Sequence, residues 1–558
     1  MKIYYGLLDF DIENMKKIIY YCESRKVIIM SNNNFFKYIF AVVVIFLVCY
    51  TVYIIFQNKD DSTEYNLDQT STLSNIQTEL RFAISGMDTF NPLKTNNRNV
   101  MELTKLIYDP LVTLDGNYKL KYCLAEEIAK TDEVTYVIKL RKGVLWEDKS
   151  NFTADDVEYT INLIRHGGFS PIYYENIKHV TGTEVIDSNT IKVVLDQAIP
   201  FFEYNLTFPI MCKNYYGEED FSSSEKTPIG TGMFRISEFS SNVINLVPNE
   251  LYWDVSRKPM ATKININLYS TTGEAYAAFK NGEIDLLTVK ITDIENYIGT
   301  LGYNKIEYKT RNYDFIAFNT ANELLSEPAV RRALSLAIDK NNIIATCLGA
   351  GYVPSNFNLD MGSWLYTRDL NTEIDTEQAA QILYNNGWER TSTNWVKRTE
   401  NGTKKIEFSL TINANNEQRV AVAENLKAQF ASFGVPVTIN YLSADNYAKA
   451  INNRSYDVII TGIQNSFSPS VNTFFGDGNI ANYYNGEVAE IMNVISNTTD
   501  EHILHENYNR LFEIYLEEAP YIGLYRETDV IVTNQGLVGN ITANAFNIYH
   551  NIEKWYRQ

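Results

Sequence analysis

LAEEIAKTDEVTYVIKLRKGVLWEDKSNFTADDVEYTIN, residues 124–162, changes its apolar period from two to nearly four within one stretch. TYVIKL (135–140) alternates polar and apolar residues, as a half-buried strand does. FTADDVEYTINLI (152–164) places Val157, Ile161 and Ile164 on one helical face. Thr153 is suited to cap that helix. Asp155 and Asp156 fall in its first turn, where the helix dipole favours negative charge. The two carboxylates resemble a catalytic pair, but a helix-start role accounts for them. Strand, charged turn and amphipathic helix in this order predict mixed α/β architecture.

The same alternation continues outward. TIKVVL (190–195) reads as a strand, and TEQAAQILYNNGW (376–388) as a helix closed by Gly387. VAVAENLKAQFASFGVPVTI (420–439) is a helix of about four turns, then Gly434, then a strand. SYDVIITG (455–462) is a short buried strand, in which Asp457 reads as structural. Gly230 and Gly232 are expected to form a tight turn; no Lys-Ser or Lys-Thr follows them as a phosphate loop requires. Arg331 and Arg332 are expected to face solvent or to pin Asp339. The chain has no Ser/His/Asp spacing, H-E-x-x-H or dinucleotide glycine fingerprint, so neither enzyme chemistry nor a cofactor is expected. His502 and His505 form an H-x-x-H on a polar helix, a chance spacing, and no metal site is expected.

Toward the amino terminus, 19 residues from Tyr38 to Phe56 carry no formal charge. As a helix they span about 28 Å, close to the hydrocarbon thickness of a bilayer. The run ends in IIFQNKDD, without the small-residue site of a cleaved signal. Cys49 follows Phe46, Leu47 and Val48, not the small residue that precedes a lipidated cysteine. A retained signal anchor over 35–57 is therefore expected, after a short cytoplasmic segment (1–34) and before a polar linker (58–78). Translation from Met30 is an open alternative. Residues 1–58 hold six Lys/Arg and four Asp/Glu, a net of +2, which leaves −21 of the total −19 beyond them. Positive residues prefer the cytoplasmic side. This predicts a single-pass cell-membrane protein with its large domain on the extracellular face.

An acidic exterior argues against nucleic acid as a partner. Three cysteines beyond the anchor, Cys123, Cys212 and Cys347, match no zinc or redox motif and indicate no disulfide framework. The remaining length exceeds one core, so two or three domains are expected. Tyrosine is abundant, 39 of 558 residues. Genome composition and an aromatic-lined cleft both account for it.

Seven segments in the same order resemble the extracellular solute-binding proteins of peptide and nickel ABC importers, family 5. They are residues 124–162, with an L-R-x-G-V turn and T-x-x-D-V helix start; PIGTGMFRI (228–236), with Met233 where proline is usual; KNGEIDLL (280–287); FIAFNTANELLSEPAVRRALSLAIDKNNII (315–344); DTEQAAQILYNNGW; LKAQFASFGVPVTI; and SYDVIITG. The resemblance implies a type II periplasmic-binding-protein-like fold in its large three-domain form, with two lobes and a hinge. Lobe I would comprise 79–115, 230–314 and 521–558, with an inserted domain at 116–229. Lobe II would comprise 315–520. Chain crossings near 314–320 and 519–525 would form the hinge, and a bulky residue at Gly523 would disturb closure more than folding.

In such relatives a peptide lies extended in the cleft between the lobes. One edge resembles SGMDTFNP (85–92), which points to Met87 and Phe90 as ligand contacts. The other follows SYDVIITG as G-W-x-A-D-Y-x-D-P, whose first aspartate pairs with the peptide ammonium. Here the loop reads GIQNSFSPS (462–470). Ile463 stands at the tryptophan, Asn465 at the alanine, Ser466 at the aspartate and Phe467 at the tyrosine, so the carboxylate is gone. The implied function is a receptor that binds oligopeptide or a related small solute and delivers it to ABC permease subunits. The alternative is a solute-sensing or adaptor protein of the same fold without a dedicated transporter.

Overall fold

A computed structural model describes residues 78–558, apart from 168–171, 218–225, 291–301, 360–361 and 367–372. The expectations for 1–34, for the anchor at 35–57 and for the linker up to 77 lie outside the described residues. Among the described residues no helix is long and apolar enough to cross a membrane.

The opening stretch folds as its periods dictate. Thr135–Leu140 lies inside an antiparallel sheet ordered Ala125–Lys130, Thr135–Leu140, Thr190–Leu195, Val180–Asp187. Tyr136, Ile138 and Leu140 are buried and alternate with more exposed neighbours. The helix Ala154–His166 packs on this sheet through Val157, Ile161 and Ile164. Asp156 does more than begin the helix. Almost wholly buried, it accepts the Thr153 N–H at 2.8 Å, the Lys213 N–H at 2.8 Å and the Trp146 indole N–H at 3.2 Å. Three segments thus meet on one carboxylate, and each donor offsets its desolvation.

A second sheet is ordered Glu79–Ser85, Lys263–Tyr269, Val243–Pro248, Phe234–Phe239, its first pair parallel and the rest antiparallel. Leu80, Phe82 and Ile84 fill its core face. Gly230 and Gly232 lead into it, and the reason for glycine there is close approach, not a turn at positive φ. A Cβ on Gly230 would sit 1.8 Å from the Ile107 carbonyl oxygen, and one on Gly232 would sit 2.6 Å from it.

The largest sheet contains the two longest strands. Its order is Leu286–Lys290, Tyr521–Asn534, Tyr303–Phe318, Val458–Gln464, Phe408–Asn413, Val437–Leu442, with Tyr352–Pro354 also on Tyr521–Asn534. The two central strands are antiparallel over nearly their whole length. Pairing runs from Tyr303↔Asn534 to Lys309↔Thr528, breaks, and resumes from Tyr313↔Arg526 to Ala317↔Tyr521. One side of the break borders Leu286–Lys290, the other Val458–Gln464. The polar run Thr310, Arg311, Asn312 interrupts the alternation here. The irregularity thus precedes 314–320 and faces 526–528, a few residues from the expected crossings.

Beyond the break the sheet is doubly wound. Helix Glu417–Phe433 connects the parallel strands Phe408–Asn413 and Val437–Leu442. Helix Ala444–Asn453 then leads to Val458–Gln464, which returns to the other side of Phe408–Asn413, also parallel. Gly434 closes the first helix at φ +85°, a conformation that favours glycine. Asp457 accepts the Ser409 N–H at 3.0 Å and hydroxyl at 2.7 Å and the Asn322 amide at 2.9 Å, tying the strand starts together. Arg331 neither faces solvent nor reaches Asp339. It is buried, and donates to the carbonyls of Leu325 (2.8 Å), Ser326 (3.0 Å) and Glu518 (2.8 Å). The packing of helix Pro328–Leu336 against Glu501–Glu518 turns this side chain inward.

Candidate functional site

In doubly wound sheets, ligands sit beyond the carboxyl ends of strands where the winding reverses. Val458–Gln464 ends at such a point, and its continuation walls a cavity of about 290 Å³ beside the break in the central strands. Tyr118, Arg311 and Asn358 face the same space from three other segments.

Ile463, Asn465, Ser466 and Phe467 all line this cavity. Ile463 is paired with Tyr313 across the sheet. Asn465 is the tie. Its N–H donates to the Arg311 carbonyl at 2.9 Å, its own carbonyl accepts from Arg311 Nη1 at 3.1 Å, and its side-chain amide donates to the Asn358 carbonyl at 2.5 Å. Ser466 is exposed, and its hydroxyl reaches the Ser468 carbonyl at 3.4 Å. Phe467 stacks on Tyr118 with ring centroids 6.2 Å apart and meets Phe546 edge-on at 4.9 Å. It therefore ties the 463–467 loop to Tyr118 and Phe546. Nearby, the Trp364 N–H donates to the Asn117 carbonyl at 2.9 Å, and Lys119 pairs with Glu501 at 2.6 Å.

Met87 and Phe90 do not line this cavity. Phe90 is 3% exposed and packs edge-on against Phe239 with centroids 6.1 Å apart. Met87 packs, half-buried, against the same core. The Asp88 turn explains their inward set. Its carboxylate accepts from the Thr95 hydroxyl at 2.6 Å and from the Asn96 N–H at 2.7 Å, folding 88–97 back on itself.

Two arginines that the sequence reading did not single out contribute most of the charge. Arg526 is 2% exposed, lies 5.0 Å from the Tyr313 ring, and donates to the Ser355 hydroxyl at 3.1 Å and to the Phe357 and Asn358 carbonyls. It holds the 355–358 wall. Arg311 is half-buried, with its guanidinium 4.2 Å from the Phe467 ring centroid. Burial lowers its pKa from the ordinary value, and the neighbouring Arg98 adds to that. Arg98 itself is paired with Asp529 at 2.6 Å. A polar groove of about 650 Å³ also opens between residues 130–133 and 198–200 on one side and 472–497 on the other. Among the described residues no three His, Cys, Asp or Glu side chains converge to hold a metal.

The mixed α/β sheets, with a cavity beside the break in the central strands, have the type II periplasmic-binding-protein-like fold. Residues 119–482 match the profile of "Bacterial extracellular solute-binding proteins, family 5 Middle", and the chain belongs to this family of solute-binding receptors. It is similar to "Oligopeptide-binding protein AppA" of Bacillus subtilis, 25% identical over 505 residues that cover 84% of this chain and 89% of the relative. It is also similar to "Heme-binding protein A" of Haemophilus influenzae, 27% identical over 462 residues, 75% of this chain and 81% of the relative. Its fold matches that of HbpA2 from Haemophilus parasuis with a TM-score of 0.70 at 19% identity, covering 86% of this chain and 100% of that one.

Proposed function

We propose that the chain is an extracellular receptor, anchored in the cell membrane by residues 35–57, that takes an oligopeptide or a related small solute between its lobes and passes it to the permease of an ABC importer. The observation that carries this reading is the cavity at the strand break, walled from both sides of the junction by Tyr118 and by the 463–467 loop. Lobe I is taken as 79–115, 230–314 and 521–558, with the insertion 116–229, and lobe II as 315–520. Bending at 310–312 and 526–528 would leave the ladders on either side paired, as hinge closure requires. Ile463, Asn465, Ser466 and Phe467 are proposed as ligand contacts. The groove bordered by 472–497 gives an extended ligand room beyond the first cavity. Similarity to an oligopeptide-binding protein supports the peptide class, and the heme-binding relative shows why the ligand must be identified directly.

Native mass spectrometry of the full chain in detergent tests this. The expected result is a population carrying a bound peptide mass that is lost on mild unfolding. Gene disruption that leaves peptide uptake intact would favour sensing or adaptor duty over transport. A full chain that neither carries nor takes up any peptide would refute the peptide reading.

A further inference from the structure

The geometry points to a carboxylate site: we propose that the cavity at the strand break receives the acidic end of its ligand, so that a peptide enters with its carboxy terminus, not its amine, against the 463–467 loop. The inference rests on the receptor reading above and narrows its ligand.

Three observations converge. The first is charge. The described lining residues include Arg311 and Arg526 and no Asp or Glu, in a chain of net charge −19. A cationic recess in an acidic protein selects anions by local field.

The second is the state of Arg311. A guanidinium has five N–H donors. Among the described residues this one makes a single hydrogen bond, to the Asn465 carbonyl at 3.1 Å, and the Glu102 carboxylate acts on it only from beyond ion-pair distance. Phe467 covers one face of it and leaves its edges for a planar, two-oxygen partner. Arg526 differs, since its donors hold the 355–358 wall.

The third is an orphan acceptor. Asn358 is 8% exposed and lines the cavity, yet its Oδ1 has no hydrogen-bond partner. Asn465 bonds to both Arg311 and Asn358, so the empty donors and the empty acceptor are neighbours. A carboxylate one carbon away from an amide N–H, the end of any peptide that does not terminate in proline, satisfies both. An ammonium would face Arg311 with only neutral acceptors, the Ser466 hydroxyl and Asn358 Oδ1, in its favour. Loss of the aspartate and presence of the arginine thus work in the same direction.

The test is calorimetry on the full chain in detergent. The probes are matched tetrapeptides as free acid or carboxy-terminal amide, each with a free or acetylated amine, together with succinate and succinamide. Amidation should weaken binding about tenfold or more, and acetylation less than about threefold. Arg311→Met should abolish the acid preference. Ser466→Asp, at an exposed position, should lower it by placing a competing carboxylate in the cavity, with an unchanged Tm as the check on folding. Peptide binding that ignores amidation, or a preference that survives in Arg311→Met, would overturn this inference and leave the receptor reading standing. Binding of succinate but of no peptide, lost in Arg311→Met, would refute the peptide reading and uphold the carboxylate site. Failure of every acid to bind would overturn both.

Discussion

Replacing Gly523 by alanine adds one methyl group at a crowded point of the central sheet. Its Cβ would lie 2.4 Å from the Ser355 carbonyl oxygen, 2.4 Å from the Tyr313 hydroxyl and 2.6 Å from the Asn356 carbonyl carbon. Comfortable carbon contacts start near 3.5 Å, so the overlap is about 1 Å on two sides. Relief requires moving backbone that is already fastened. The Asn356 carbonyl accepts the Tyr515 hydroxyl at 2.5 Å, the Ser355 N–H donates to the Leu524 carbonyl at 3.2 Å, and Arg526 grips Phe357 and Asn358. Overpacking a tight core costs about 1–3 kcal/mol, and immobile neighbours place this site at the upper end. For a unit of about 480 residues, about 3 kcal/mol corresponds to a fall of roughly 3 °C in Tm. Folding is then the first casualty, ahead of the closure that its place in the second crossing suggests. Scanning calorimetry of the full chain measures it. Gly486→Ala is the control, because a Cβ there meets nothing within 4 Å. Equal melting of Gly523→Ala and wild type, within about 0.5 °C, would refute the steric argument.

Lys340 is buried and donates to the Asn356 side-chain carbonyl oxygen, and burial pushes its pKa down to about 7, so from there to the free value of 10.5 the unfolded chain binds a proton that the folded chain lacks. Stability therefore rises with pH in that window by up to about 1.4 kcal/mol per unit, and Lys340→Met should flatten the slope in chemical unfolding at pH 7.5 and 9.5; parallel slopes would refute it. Burial raises Glu147 from 4.5 to about 7, despite the Gly230 N–H at 2.8 Å. Its protonated form contributes stability below 4.5 that is lost as pH rises through 7, so Glu147→Gln should exceed wild type by about 1–2 kcal/mol at pH 8 and match it near pH 4, while a gap independent of pH would count against it. Cys49→Ala should leave the protein extractable only with detergent, because a spanning helix needs no lipid; a mature amino terminus beyond residue 56 would contradict the anchor.

Where a residue's role is local, the sequence carried it. Thr135–Leu140 and Ala154–His166 each declare their period within two turns or three residue pairs, and Gly434 lies where a helix must stop. The loop after Val458–Gln464 was legible because its place follows a recognisable strand. Arg311 was not. Its significance depends on a break in pairing with a strand some 200 residues later, and nothing in K-T-R-N announces it. Arg331 misled for the same reason, since its carbonyl partner at Glu518 is 187 positions away. Phe90 sits in a turn that looks ligand-facing until Phe239 covers it.

The central strands also set a clock on biogenesis. Tyr303–Phe318 cannot complete its ladder before Tyr521–Asn534 exists. Phe82, in the first described strand, waits longer still for Tyr549, stacked at 5.3 Å, and for Trp555 at 6.5 Å. At about 5–20 residues per second, the interval from Phe82 to Trp555 lasts roughly 25–95 s. Throughout it the apolar faces of the first sheet and the central strands have no permanent cover. Contacts so distant in sequence also form slowly once the chain is complete. The growing chain therefore carries an unfinished fold until Trp555 has been made, with apolar faces open to aggregation throughout that interval.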